Sequence, residues 1–338
     1  MRILFGKIAS LFYRISKPKY LPSKFMNNNN IYIRSSSPQW PPQTPPQFGF
    51  PTNPINFSSY RNNEQVFALI KKLTMSPSER SDALHALSVQ REQIQDLGVL
   101  LWESPGTMTA LLSEILSIYP HLAVMSQSSN SVPPTLNNKL ATRVCHVLAL
   151  FQCVAGHEKT RKPFINANMP MYLFPFLHSV NHSRECEFFK LTSLGIIGSL
   201  VKVEQSDIIE YLLQNEFMPL CLRILKFGQE MSRIVAAFII QKILSDKVGR
   251  NYVCQLTSRI EILLKVLNGT IQNLMVTFNQ RLSKNIVLAY QYLLEEPQVK
   301  DVVSKMDLSA FNQQSNWSQL CDSEFIGLLR RLSEFQRN

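Results

Sequence analysis

An all-α solenoid of stacked helical repeats is predicted by three observations. A helix-length apolar segment opening with a cation recurs as RVCHVLALFQCV at 143–154, KLTSLGIIGSLV at 190–201 and RIVAAFIIQKIL at 233–244, at offsets of 47 and 43 residues. A shorter element also recurs, NANMP ending at Pro170 and NEFMP ending at Pro219, 49 residues apart. Glycine is scarce, at 11 of 338 residues, which suits helices and argues against a sandwich of strands joined by tight turns. A helical period in the forties marks armadillo or HEAT stacking, in which each unit buries its apolar face only against its neighbours. The expected architecture is therefore an armadillo-repeat superhelical solenoid. Its long concave surface favours binding over chemistry.

Residues 1–63 read as a separate, disordered, basic tail rich in Pro and Asn. They hold eight Lys or Arg and no acid, so they supply +8 of the formal +11, and nine of the nineteen prolines. With NNNN at 27–30 and PQWPPQTPPQ at 38–47, the tail carries too little apolar surface to offset the entropy of ordering. At its start, Leu4, Phe5, Ile8, Leu11, Phe12 and Ile15 fall on one helical face, with Arg2, Lys7 and Arg14 elsewhere. Such an acid-free amphipathic start resembles an organelle presequence. A non-specific basic tail and a misassigned start are the other readings.

From about residue 64 to 335 the pattern is helical, and this span is expected to form the armadillo domain. EQVFALIKKL at 64–73 is amphipathic. Ser76 stands at an N-cap, Pro77 at the first helical position and Glu79 at the capping-box position of the next helix. Helices are expected over 81–90, 96–102 and 107–119, then a polar loop over 121–134. The repeats follow, with a degenerate last unit at 281–294 and a closing helix near 324–335. No segment reads as a strand.

Outside the tail the net charge is only +3, so a basic surface on the folded part must come from local clustering. Six cysteines, Cys145, Cys153, Cys186, Cys221, Cys254 and Cys321, form no CxxC and mostly sit in apolar runs, which predicts free thiols in a reducing compartment. No apolar run approaches the eighteen or so residues needed to cross a bilayer. A soluble chain without membrane partners is expected.

Catalytic signatures are missing: there is no GxGxxG, Walker loop, HExxH or GxSxG. Gly195 and Gly198 lie inside a helical run and read as close helix packing. His178, His182 and Cys186 are four apart, a zinc-like spacing on a continuous helix, but the segment also reads as a loop between repeats with no fourth ligand. His146 and His157 near Cys153 admit a nucleophilic reading against a plain helix-and-loop one. The expectation is no enzyme and no cofactor.

Binding has better candidates. Arg143, Lys190 and Arg233 occupy equivalent positions, and stacking sets them roughly ten ångströms apart, a ladder suited to phosphates or an acidic peptide. The competing reading has each cation compensating a carboxylate near a helix start. Gly195 and Ala236 allow close approach of a partner, while Met231 and Val235 add an apolar wall for an amphipathic helix or an aromatic side chain. The competing reading makes them core.

Several segments carry a family resemblance: SDALHALS (81–88), DLGVLLW (96–102), LLSEILSIYP (111–120), PPTL (133–136), QCVA (152–155), YLFPFLH (172–178), LTSLGIIGSLVK (191–202) and PLCLRI (219–224). Together they resemble the required-for-cell-differentiation family, the armadillo-repeat subunit of the eukaryotic CCR–NOT (carbon catabolite repression–NOT) deadenylase complex. The resemblance implies a non-catalytic adaptor that promotes mRNA decay and translational repression in cytoplasm and nucleus. Implied partners are the large NOT scaffold, tryptophan-containing or helical regulator peptides, single-stranded RNA and a second copy of the chain. Direct binding of single-stranded nucleic acid through the groove is the alternative function.

Carried over by position, scaffold docking falls on Glu103, Gly106, Thr109, Leu112 and Leu116, with Glu103 and Pro105 standing where the family usually has His and Phe. The peptide groove falls on Phe188, Leu191, Gly195, Met231 and Val235, Phe188 replacing a usual Tyr. A tryptophan pocket falls on Pro219, Thr257 and Arg259, Thr257 replacing a Tyr.

Overall fold

Three-helix units repeat along the chain, and their third helices form the spine. The structure, a computed structural model, describes residues 64–94, 96–122, 138–181, 183–203, 205–306 and 323–334. The tail, its amphipathic start, the Ser-rich loop before Pro133, His182 and Cys321 lie outside the described residues. An entry pair, α1 (Glu64–Met75) and α2 (Arg80–Gln90), precedes the first unit of α3 (Leu97–Glu103), α4 (Thr107–Leu116) and α5 (Asn138–Gly156). The next unit holds α6 (Glu158–Asn166), a 3₁₀ turn at Met169–Leu173 running into α7 (Phe174–His178), and α8 (Arg184–Val201). Then come α9 (Ser206–Gln214), α10 (Phe217–Phe227) and α11 (Glu230–Ser245), followed by α12 (Lys247–Cys254), α13 (Thr257–Val276) and α14 (Gln280–Leu293). Helices α15 (Pro297–Ser304) and α16 (Ser323–Glu334) complete the described part. It is an all-α helical-repeat solenoid, as the period predicts, with no strand among the described residues.

The spine runs α2, α5, α8, α11, α14, α16, each helix packed on the next. This is why the recurring segments are apolar all round and not amphipathic: α8 buries residues on every face, from Phe188 and Phe189 to Ile196 and Ile197, and α11 does the same. The flanking helices obey the ordinary one-face rule. In α13 the stripe Ile260, Leu263, Leu264, Leu267, Ile271 and Leu274 is buried.

Local chemistry sets the helix starts. Ser183 caps α8 by accepting from the Cys186 amide, Asp246 caps α12 by accepting from Val248, and Asn279 caps α14 by accepting from Arg281 and Leu282. The short recurring element is a turn. Asn168 and Glu216 sit at the N-cap positions of the helices that follow, at φ 53° and 58°, reversing the chain between the first and second helices of a unit. The capping box expected at Ser76 does not form. The helix starts at Arg80, and the Glu79 carboxylate instead takes the Lys72 ammonium at 2.6 Å, a charged donor from the last turn of α1.

Helices α3 and α5 approach closely at Gly98, where a Cβ would stand 2.7 Å from the Cys153 carbonyl oxygen. Neither partner is the free end of a flexible side chain, so one helix must move to admit a methyl group. Gly98→Ala is expected to lower stability by about 1–3 kcal/mol, read from urea unfolding followed by circular dichroism.

Candidate functional site

The positions carried over for scaffold docking lie on α4 and just before it, and all but Leu112 are exposed. Thr109 and Leu116 on α4 are exposed, Leu112 between them is half-buried, and Glu103 and Gly106 are exposed just upstream. The spacing 109, 112, 116 follows the helical repeat, so the three side chains form one stripe. Leu116 is 42% exposed, a large apolar group left in water. Gly106 takes φ +75° at the N-cap of α4, a left-handed conformation that favours glycine. The opposite face of α4 buries Leu111, Glu114 and Ile115.

The three ladder cations all have partners. Arg143 binds Glu114, whose second oxygen accepts from Arg80 at 3.2 Å. Lys190 is buried, with its ammonium 2.6 Å from Glu187 one turn earlier on α8. Arg233 donates to the Leu225 carbonyl at 3.0 Å. Two of the three thus compensate a carboxylate. In the peptide groove Phe188, Leu191, Gly195 and Val235 are buried in the seam of α5, α8 and α11, and Met231 alone is half-buried. As found, four of these five residues are core.

An opening of about 320 Å³ exists nearby, where α2, α5 and α8 end together. Arg91, Arg161 and Lys202 surround it with Glu92 and the amide of Gln152. Arg161 donates to the Ala155 and Gly156 carbonyls at 3.2 and 2.6 Å, and Arg91 to that of Ser88 at 2.6 Å, so both cations cap helix ends. No sequence signal marks this opening.

Two of the three residues carried over as a tryptophan pocket, Pro219 and Arg259, do meet. Between α10, α12 and α13 lies a second cavity of about 320 Å³, lined among others by Pro219, Leu222, Phe227, Tyr252, Arg259 and Ile262. Arg259 lies over the Tyr252 ring, its guanidinium carbon 4.0 Å from the centroid, and donates to the Tyr252 carbonyl at 2.8 Å. Thr257 is exposed at the start of α13 and lies outside the lining, which takes Ser258 instead. Sequence reasoning missed Phe227 and Ile262, which are 64% and 54% exposed on the rim. The signal was present, since Ile262 and Val266 are apolar yet fall outside the buried stripe of α13.

The catalytic-looking sets come apart. Helix α7 ends at His178 and α8 begins at Arg184, so the continuous helix that zinc spacing needs is broken. Among the described residues no three His, Cys, Asp or Glu side chains cluster as metal ligands. His146 Nδ1 pairs with the Ser88 hydroxyl at 2.7 Å and Nε2 faces His85, while His157 caps α6 through the Lys159 amide. Cys153 donates to the Ala149 carbonyl, and burial pushes its thiol up to about 12, far from a thiolate at neutral pH. The five described cysteines are all free.

Fold and surfaces thus define a helical-repeat protein whose distinctive features are an exposed apolar stripe and an aromatic-lined cavity. The cell differentiation family, Rcd1-like, matches residues 69–336, and the chain belongs to that family. It is similar to the cell differentiation protein rcd1 of Schizosaccharomyces pombe, 43% identical over 229 residues, covering 68% of this chain and 78% of the relative. It is likewise similar to the protein CAF40 of Saccharomyces cerevisiae, 42% identical over 270 residues, covering 80% of this chain and 67% of the relative.

Two outcomes follow from the buried charges. Lys190→Glu sets a second carboxylate beside Glu187 in a buried seam, and Lys190→Met leaves the Glu187 carboxylate without its ammonium, so each is expected to cost about 3–5 kcal/mol by urea titration, whereas Lys190→Met with Glu187→Leu, which removes both charges, is expected to cost far less. Desolvation first, then the neighbouring His85, lowers the His146 pKa to about 4 from its ordinary 6.5. The unfolded chain takes up this proton below about pH 6.5 and the folded chain does not, so stability present at neutral pH falls as pH drops from about 6.5 to about 4. His146→Gln should flatten that fall, by up to roughly 3 kcal/mol at pH 4, in unfolding curves taken at several pH values.

Proposed function

We propose that the chain is a non-catalytic adaptor subunit of the CCR–NOT deadenylase complex that promotes mRNA decay and translational repression in the cytoplasm and nucleus. Membership of the Rcd1-like family, at 42–43% identity to rcd1 and CAF40, supports the assignment to this class. The observation that carries the adaptor reading is the pairing of two unlike surfaces on one rigid spine. The stripe of Thr109, Leu112 and Leu116, with Glu103 and Gly106 beside it, offers the large NOT scaffold an apolar strip on a single helix. The cavity beside Pro219 and Arg259 offers regulator peptides an apolar well rimmed by cations, which suits a tryptophan face. A direct role in holding single-stranded RNA through Arg143, Lys190 and Arg233 has less support, because each of these cations already has an intramolecular partner.

Affinity purification of the tagged chain followed by mass spectrometry tests the reading, with recovery of the large scaffold as the expected outcome. Leu116→Glu, at an exposed position, should leave the melting curve unchanged and weaken scaffold binding by about 10- to 100-fold. Purification that recovers no deadenylase subunits would sink the proposal. Filter binding with Lys190→Met and Arg143→Ala addresses RNA, and equal retention by variant and parent would remove the ladder from consideration.

A further inference from the structure

We propose that the cavity between α10, α12 and α13 is regulated by this chain's own N-terminal tail, with the side chain of Trp40 as its occupant in cis. The inference rests on the reading of that cavity as an aromatic-peptide site and adds an internal competitor to it.

The tail is not uniform in charge. Residues 1–34 carry seven of its eight cations, whereas residues 35–60 contain no Asp, Glu, Lys, Arg or His. That uncharged stretch holds five aromatic residues, Trp40, Phe48, Phe50, Phe57 and Tyr60. The rim of the cavity carries Arg223, Lys226 and Arg259 without a lining carboxylate. A cationic segment would meet like charge there, and an uncharged aromatic one meets none. Its π faces gain from the same cations, Trp most of all. The rim is already used in this way by the protein's own rings: the Lys226 ammonium lies 4.8 Å from the centroid of Phe227, and Arg259 covers Tyr252. Phe227 and Ile262 remain largely in water on either side of the opening, so an entering indole buries apolar surface at both walls. Pro38, Pro41 and Pro42 beside Trp40 reduce the conformational freedom that binding must remove.

The tail is long enough. Twenty-three residues separate Trp40 from Glu64, where α1 begins. At about 3.1 Å per residue in an extended proline-rich chain they span up to roughly 70 Å. From α1 the packing path to the cavity runs α2, α5, α8, α11, α10, five helix-to-helix steps. At 8–10 Å per step this is about 40–50 Å, within reach.

The full chain labelled with 5-fluorotryptophan and followed by fluorine NMR tests the contact directly. Trp40→Phe assigns the Trp40 signal among those of Trp40, Trp102 and Trp317. The expected result is a Trp40 signal displaced from that of a synthetic peptide of residues 35–60, unchanged on dilution, and returned to the peptide position by Phe227→Ala with Ile262→Ala. Both substitutions are at exposed side chains, so they spare the fold. A Trp40 signal that matches the free peptide overturns the proposal, and so does a displacement lost on dilution, which would mean that a second copy supplies the tail. A second measurement titrates the fluorescein-labelled 35–60 peptide into the wild-type chain and into Trp40→Ala. A tether giving an effective concentration of order 1 mM, against a peptide affinity of order 100 μM, predicts about tenfold tighter binding to Trp40→Ala. Equal binding to both proteins overturns the tail as occupant while leaving the aromatic-peptide reading intact. Failure of the peptide to bind either protein overturns both.

Discussion

Nothing in this molecule stands without the mutual burial of its third helices. In α8, 15 of 18 residues are buried, so the helix has no face left for water and must be covered by α5 on one side and α11 on the other. Its neighbours are in the same position. Stability is therefore a property of adjacency, and no single unit is expected to fold by itself. This arrangement also decides where binding surfaces lie. The central spine helices α8 and α11 are consumed by packing, and the exposed apolar groups that concern the two candidate surfaces stand on second helices, Leu116 on α4, Phe227 on α10 and Ile262 on α13.

The same burial governs the charges. An ammonium such as that of Lys190 persists inside the seam because Glu187 lies one turn away on the same helix, and Glu114 persists because two guanidinium groups reach it from different elements. Such pairs contribute little net stability over an apolar replacement, yet losing one partner strands the other. Cations at equivalent repeat positions therefore belong as much to the internal ledger of charge as to any outward groove.

The architecture was legible because its signal is local and repeated: a cation, then an apolar run of one helix length, at a period in the forties. The residues of the exposed stripe on α4 came only through the family resemblance; helical spacing explains why Thr109, Leu112 and Leu116 share a face once the helix is in place. The cavity could not be read from local pattern, because Pro219, Tyr252 and Arg259 come from three helices of two successive units and meet only after stacking; the resemblance alone named Pro219 and Arg259. Sequence pattern also misled at Ser76, where a motif with the right letters lost its carboxylate to Lys72. A ladder inferred from alignment fixed the residues in a row but not the direction of their side chains, which turn toward Glu114, Glu187 and the Leu225 carbonyl.

Because α10 and α13 are corresponding helices of consecutive units, the width of the well between them is set by the angle at which one layer sits upon the next. The well therefore belongs to the stacking of two layers and to neither layer alone, so a change in how they pack would alter it without touching any lining residue.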